Sequence, residues 1–143
     1  MKDLADAIVA RFAVSASAPN ALRAKLTEYT GSDKLYLHPA PRGVFFPHIT
    51  YSFADSRAEG VMGTSPVFHD VHTVTFSIWD TENDLERSIT LRDLLVSVYD
   101  DVSLSLTGGR NVVYALRKNS GNPIREPDGK GWGTHIDYDY YVG

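Results

Sequence analysis

Apolar residues recur at helical spacing at Leu4, Ile8, Val9 and Phe12, directly after Asp3, and again at Leu22, Leu26 and Tyr29 after Asn20. Each run predicts a short amphipathic helix. Gly31 stands where the second would stop, and Ser-Ala-Ser-Ala-Pro at 15–19 separates the two. Prolines 39, 41 and 47 then forbid a helix and confine any strand to a sheet edge or a strand start. From His48 the period changes to two. Ile49, Tyr51 and Phe53 take one face, and His48, Thr50 and Ser52 the other. A second strand follows, with Val74, Phe76 and Ile78 opposed to Thr73, Thr75, Ser77 and Trp79. The stretch between them, about 54–70, is rich in Gly and Ser and too long for a tight turn, which predicts a projecting loop.

Acids and an Asn after Trp79 suit a helix start. Leu85, Ile89, Arg92, Leu95, Val96 and Tyr99 then predict the longest helix, ending near Asp100. Leu-Thr-Gly-Gly-Arg-Asn makes a turn before a β-branched and aromatic run from Val112. The tail alternates again, with Ile136, Tyr138, Tyr140 and Val142 against His135, Asp137, Asp139 and Tyr141. The expected class is α+β: a small antiparallel or mixed sheet of about four or more strands, a long covering helix and short N-terminal helices. Residues 1–143 are expected to form a single domain, a length that buries roughly 70% of the unfolded chain's surface.

Composition narrows the classes. Hydrophobic residues make up 43% and charged residues 22%, so neither disorder nor a membrane protein is expected. The longest apolar runs fall well short of the ~20 residues of a membrane span, and acids within the first apolar run argue against a secretory signal. The absence of cysteine excludes disulfides, thiolate zinc sites and thiol nucleophiles. A net charge of −4 argues against tight wrapping of nucleic acid.

Four patterns are candidates for chemistry. Gly129, Lys130 and Gly131 resemble part of a phosphate loop, but such a loop continues into Ser or Thr and opens a helix, whereas here a strand follows. A Gly-rich connection between antiparallel strands, with Trp132 packed on the sheet, is the reading expected instead. His69 and His72 are three apart, which on a strand means opposite faces, so surface histidines are expected rather than metal ligands. Asp137 and Asp139 share a face and could serve as a carboxylate pair, or simply as a solvated face or the guard of a sheet edge. Asp100 and Asp101 mark a helix stop. No Gly-x-Ser-x-Gly elbow is present.

Taken in order, these segments resemble the tail completion, or tail terminator, proteins of long-tailed bacteriophages. The residues that carry the likeness are Pro41, Pro47, Ile49 and Tyr51 around the first long strand, Asp80 before the long helix, and Glu126, Asp128, Tyr138 and Tyr140 in the acidic turn and aromatic strand at the end. The resemblance covers nearly the whole chain. It implies a virion protein that assembles as a six-membered ring on the tail tube near the head–tail junction, halts polymerisation and offers a surface to the head's connector. Its partners would be other copies of itself, the tail tube protein and the head completion or connector protein, with DNA only in transit and no membrane. The resemblance brings no cofactor, metal or catalytic residue. Two features depart from the pattern: the long segment at about 54–70 and the clear second helix. A head–tail joining protein, or a small nucleotide-binding enzyme using the Gly-Lys loop, are the alternatives.

A ring needs two unlike surface patches on each copy, carrying apolar and Arg anchors in a polar rim. Val61, Met62 and Phe68 are expected to reach a neighbouring subunit or the tube. Arg125 and Trp132, flanking the Gly-rich turn, are further interface candidates. Asp137 and Asp139 are expected to face a lumen through which DNA slides, where like charge prevents sticking.

Overall fold

A computed structural model describes residues 2–15, 21–61, 67–81, 85–100, 102–106, 109–119, 121–127 and 131–143. The elements follow the order α1 (Lys2–Val14), α2 (Leu22–Thr30), β1 (Leu35–Leu37), β2 (His48–Val61), β3 (Val67–Thr81), α3 (Leu85–Tyr99), β4 (Val112–Arg117), β5 (Ile124–Arg125) and β6 (Gly131–Val142). Helix α2 stops as its sequence predicts. Gly31 takes a left-handed conformation at φ 73°, and its N–H bonds the Thr27 carbonyl.

The strands form one mixed sheet in the order β1-β2-β3-β6-β4, with β5 also paired to β6. Strand β1 runs parallel to β2 at one edge, and the other pairings are antiparallel. The three prolines lie between β1 and β2, and β2 begins directly after Pro47, so none of them interrupts a ladder. The α+β expectation holds. The two predicted faces of β2 and β3 hold as well: Ile49, Tyr51, Val74, Phe76 and Ile78 enter one hydrophobic cluster, joined by Ile136, Tyr138, Tyr140 and Val142 of β6. All three helices bury their apolar stripes in the same cluster, through Leu4, Ile8 and Phe12, Leu22 and Leu26, and Leu91, Leu95, Val98 and Tyr99. The helices therefore cover one face of the sheet.

Three expectations need correction. The projecting loop at 54–70 is largely strand: β2 and β3 stay in register from Asp55↔Thr73 out to Val61↔Val67 after an irregularity between Phe53 and Asp55. Antiparallel pairing satisfies the backbone groups of both arms at once, so a ladder can extend beyond the apolar alternation that made its inner half recognisable. Secondly, the tail strand is not a sheet edge. Strand β6 lies between β3 and β4 and has buried residues on both faces. Thirdly, the buried stripe of α3 is rotated from the predicted one. Ser88, Leu91 and Val98 are inside, while Leu85 and Ile89 remain exposed.

Candidate functional site

The face of the sheet turned away from the helices is built from cross-strand polar pairs. Residues directly opposite one another on β3 and β6 bond side chain to side chain. The Thr73 hydroxyl donates to Asp139 Oδ1 at 2.5 Å, and Thr75 donates to Asp137 Oδ1 at 2.7 Å. Ser77 Oγ and His135 Nδ1 lie 2.8 Å apart. The alternation of hydroxyls on one strand and acids or imidazole on the other is visible in the sequence, but their pairing required the register. Such opposed polar pairs contribute about 0.2–1 kcal/mol each and hold that register.

These pairings change the standing of the two candidate acids. Asp139 is only 2% exposed, with Lys118 Nζ at 3.7 Å. Asp137 is half-buried and also accepts from Asn119 Nδ2 at 3.1 Å. Far from being a solvated pair or an edge guard, they are structural members of a central strand.

Beside this ladder, the segment 38–47 folds over the β1 end of the sheet and leaves a groove of about 360 Å³. Trp79 forms part of its floor. The Trp79 indole N–H donates to Thr50 Oγ1 at 3.0 Å, and the rings of His38 and His135 pack near it at 6.2 and 5.2 Å. Phe46 and His48 line the groove with ring centroids 4.8 Å apart. The His38–Pro39 and Phe46–Pro47 peptides are both cis. This groove was not singled out from the sequence. The signal available there was the density of Pro, Phe and His between two strands.

Burial pushes the His48 pKa below its ordinary value, a backbone contact with Phe45 opposing, and burial does the same to His72. Both imidazoles are thus held neutral more strongly in the folded chain than in the unfolded one. Unfolding takes up protons as pH drops below about 6.5, so the stability present above that pH is lost as pH falls through the depressed values. Urea midpoints measured between pH 8 and pH 5 should decrease below about 6.5, and His48→Gln should flatten the part of the slope that His48 causes.

The remaining candidates sort as follows. Arg125 lies over the Trp132 ring at 5.5 Å, in the short pairing of β5 with β6. These two residues are brought together. Val61 and Phe68 lie at the outer end of the β2–β3 ladder, while Met62 falls outside the described residues. His72 is bonded to Ser56 at 2.8 Å across that ladder. Among the described residues, no group of three or more His, Asp or Glu could hold a metal ion, and no helix is long and apolar enough to cross a membrane.

The strands on either side of the Gly-rich stretch are antiparallel neighbours, with the Glu126 N–H donating to the Gly131 carbonyl and β6 beginning at Gly131; residues 128–130, Lys130 among them, lie outside the described residues. The glycines that open β6 have a packing reason. A Cβ on Gly131 would sit 2.2 Å from the Asp80 carbonyl oxygen, where the start of β6 pairs with the end of β3. A Cβ on Gly133 would meet the movable Glu126 carboxylate instead. Gly131→Ala should therefore destabilise by about 1–3 kcal/mol, the cost typical of overpacking, with Gly133→Ala near neutral in the same urea titration.

The described residues thus present a polar sheet face built from cross-strand pairs and, beside it, an aromatic groove. Residues 6–143 match the family described as Tail completion protein gp17. A chain of the solved structure "Virion of native gene transfer agent (GTA) particle" is similar in fold, with a TM-score of 0.69 at 12% sequence identity, over 96% of each chain. Among curated proteins, nothing matches. The match over nearly its whole length shows that this chain belongs to the tail completion protein gp17 family, and so is a structural protein of the phage tail.

Proposed function

We propose that the protein closes as a ring on the end of the tail tube, ends tube polymerisation and presents a surface to the head's connector. The observation that carries this reading is the family match across residues 6–143. The six-membered stoichiometry and the position at the head–tail junction belong to the same proposal. In it, the outer end of the β2–β3 ladder, with Val61, Met62 and Phe68, reaches a neighbouring copy or the tube; Arg125 and Trp132 form a secondary contact. Asp137 is the acid we assign to the DNA-facing lumen. Asp139, closed in by Thr73 and Lys118, is withdrawn from that role.

The decisive experiment measures the mass of the purified protein alone and mixed with tail tube protein. A ring-sized species, formed free or only on tube ends and stopping their growth, is the expected result. A monomer indifferent to tubes overturns the reading, and binding to the connector without binding to the tube would reassign the chain to head–tail joining. Within a capping protein, intact capping by the double variant Met62→Ser, Phe68→Ser would remove the role given to the ladder's end. Labelling of Asp137 from outside intact rings would remove it from the lumen.

A further inference from the structure

The groove under segment 38–47 has an unusual charge for this chain. The protein carries a net −4, yet the groove is lined by the Arg42 guanidinium and by no acid. Arg42 is exposed and has no ion-pair partner among the described residues. Apolar surface surrounds it: Phe46 in the lining and Phe45 on the same segment are 45% and 74% exposed. A cation set among exposed aromatic rings is the composition of an interface anchor looking for an acid.

An acid in a complementary setting lies on the helix layer. The outward stripe of α3 presents Leu85, Glu86 and Ile89, all exposed. Glu86 has no partner among the described residues, whereas Asp93, two turns further along, is taken up by Arg92 at 2.6 Å. Leu85 and Ile89 belong to the apolar periodicity of α3, but the tertiary fold does not use them. Helix α3 therefore carries an apolar and acidic surplus, and the groove an aromatic and basic one.

We propose that the α3 stripe of one copy docks into the 38–48 groove of the next, with Glu86 meeting Arg42 and with Leu85 and Ile89 covering Phe46. The inference rests on the ring reading and names its subunit contact. The two patches are unlike, so their contact is head-to-tail, the kind that closes a ring when the rotation permits. Each patch meeting its own kind would set Arg42 against Arg42 or Glu86 against Glu86, which disfavours a two-fold dimer through the same surfaces.

Because the chain has no cysteine, introduced thiols report contacts without background. Ala40→Cys, in the groove, and Ile89→Cys, on the stripe, would be placed singly and together, assembled on tail tubes and oxidised. The double variant should yield a ladder of crosslinked species rising to the ring, and each single variant should stay uncrosslinked. Separately, Arg42→Glu and Glu86→Arg should each raise the concentration needed for ring assembly at least tenfold, and the combined reversal should restore it. Both positions are exposed, so urea midpoints should match the unaltered chain; a charge variant that unfolds leaves the thiol test as the readout. Rings that form and cap tubes, with no 40–89 crosslink and no charge rescue, overturn this contact while leaving the ring reading intact. Failure of the unaltered chain to assemble on tubes overturns both. Crosslinks in a single variant would show a two-fold contact and overturn the proposal.

Discussion

Replacing Phe76 by Ala should lower the stability of the fold by about 3–5 kcal/mol, the range for removing a fully buried aromatic side chain. Phe76 is 0% exposed at the centre of the sheet's helix-facing side. Its ring stacks on Tyr99 of α3 with centroids 4.5 Å apart and meets Tyr138 of β6 edge-on at 5.8 Å. It therefore couples the central strands to the covering helix. Tyr99 continues the chain of contacts by donating its hydroxyl to the Ile8 carbonyl of α1 at 2.7 Å. Truncation would leave a cavity lined by two tyrosines that are held in place by other bonds, so collapse around it is restricted. Against a total stability of about 5–15 kcal/mol for domains in general, the loss is a large fraction, and a melting temperature lower by roughly 10–15 °C is expected. Phe76→Leu, which keeps most of the apolar contact, should lose less than half as much. Equal urea midpoints for the Ala variant and the unaltered chain would show that the aromatic cluster does not organise this core.

The second large effect is expected at a buried charge. Asp80, next to last in β3, has its side chain fully inside, where Arg87 of α3 binds it through two bonds, Nη2 to Oδ1 at 2.6 Å and Nε to Oδ2 at 3.1 Å. The Thr81 N–H also donates to Oδ1 at 2.8 Å. Arg87→Ala withdraws the principal countercharge from a carboxylate that cannot reach water, a change that costs about 3–5 kcal/mol in buried pairs. Arg87→Lys keeps the charge but not the planar fork, and should recover only part of the loss. Chemical denaturation at pH 7 reads both. The exposed pair of Lys2 with Asp6 makes a contrast: at 86% and 64% side-chain exposure it should contribute almost nothing. A loss for Arg87→Ala no larger than that for Lys2→Ala would overturn the assignment of Asp80 and Arg87 as the clamp between sheet and helix.

Both predictions use residues whose roles were partly legible beforehand. Phe76 falls on the apolar face of an alternating strand, and that alternation alone placed it inside. Asp80 was visible as an acid between a strand and a helix, in the place where the family likeness puts one. Nothing in the local pattern showed that Arg87, in the first turn of α3, would reach back for it. The Gly-rich turn was read correctly as a connection between strands, yet the reason for Gly131 is the carbonyl of a residue some fifty positions earlier. The interface candidates at the end of the β2–β3 ladder were chosen as loop residues, and the ladder that in fact carries Val61 and Phe68 was missed because its outer half lacks apolar alternation.

The sequence by itself determined the three helices, the inner halves of β2 and β3, the strands β4 and β6, and the side of β2, β3 and β6 that faces inward. Helical and strand periodicities are local properties, dictated by backbone geometry and by the removal of apolar side chains from water. It also determined where the chain must turn, through Pro39, Pro41, Pro47 and Gly31, and the family to which the ordered segments belong. Only the tertiary structure decided that β6 lies inside the sheet, that Asp137 and Asp139 are bonded across it, that α3 turns Leu85 and Ile89 outward, and that segment 38–47 leaves a basic groove. Each of these depends on which strand pairs with which and on how a helix sits over the sheet. Those choices are made by contacts between residues far apart in the chain, and local periodicity carries no record of them.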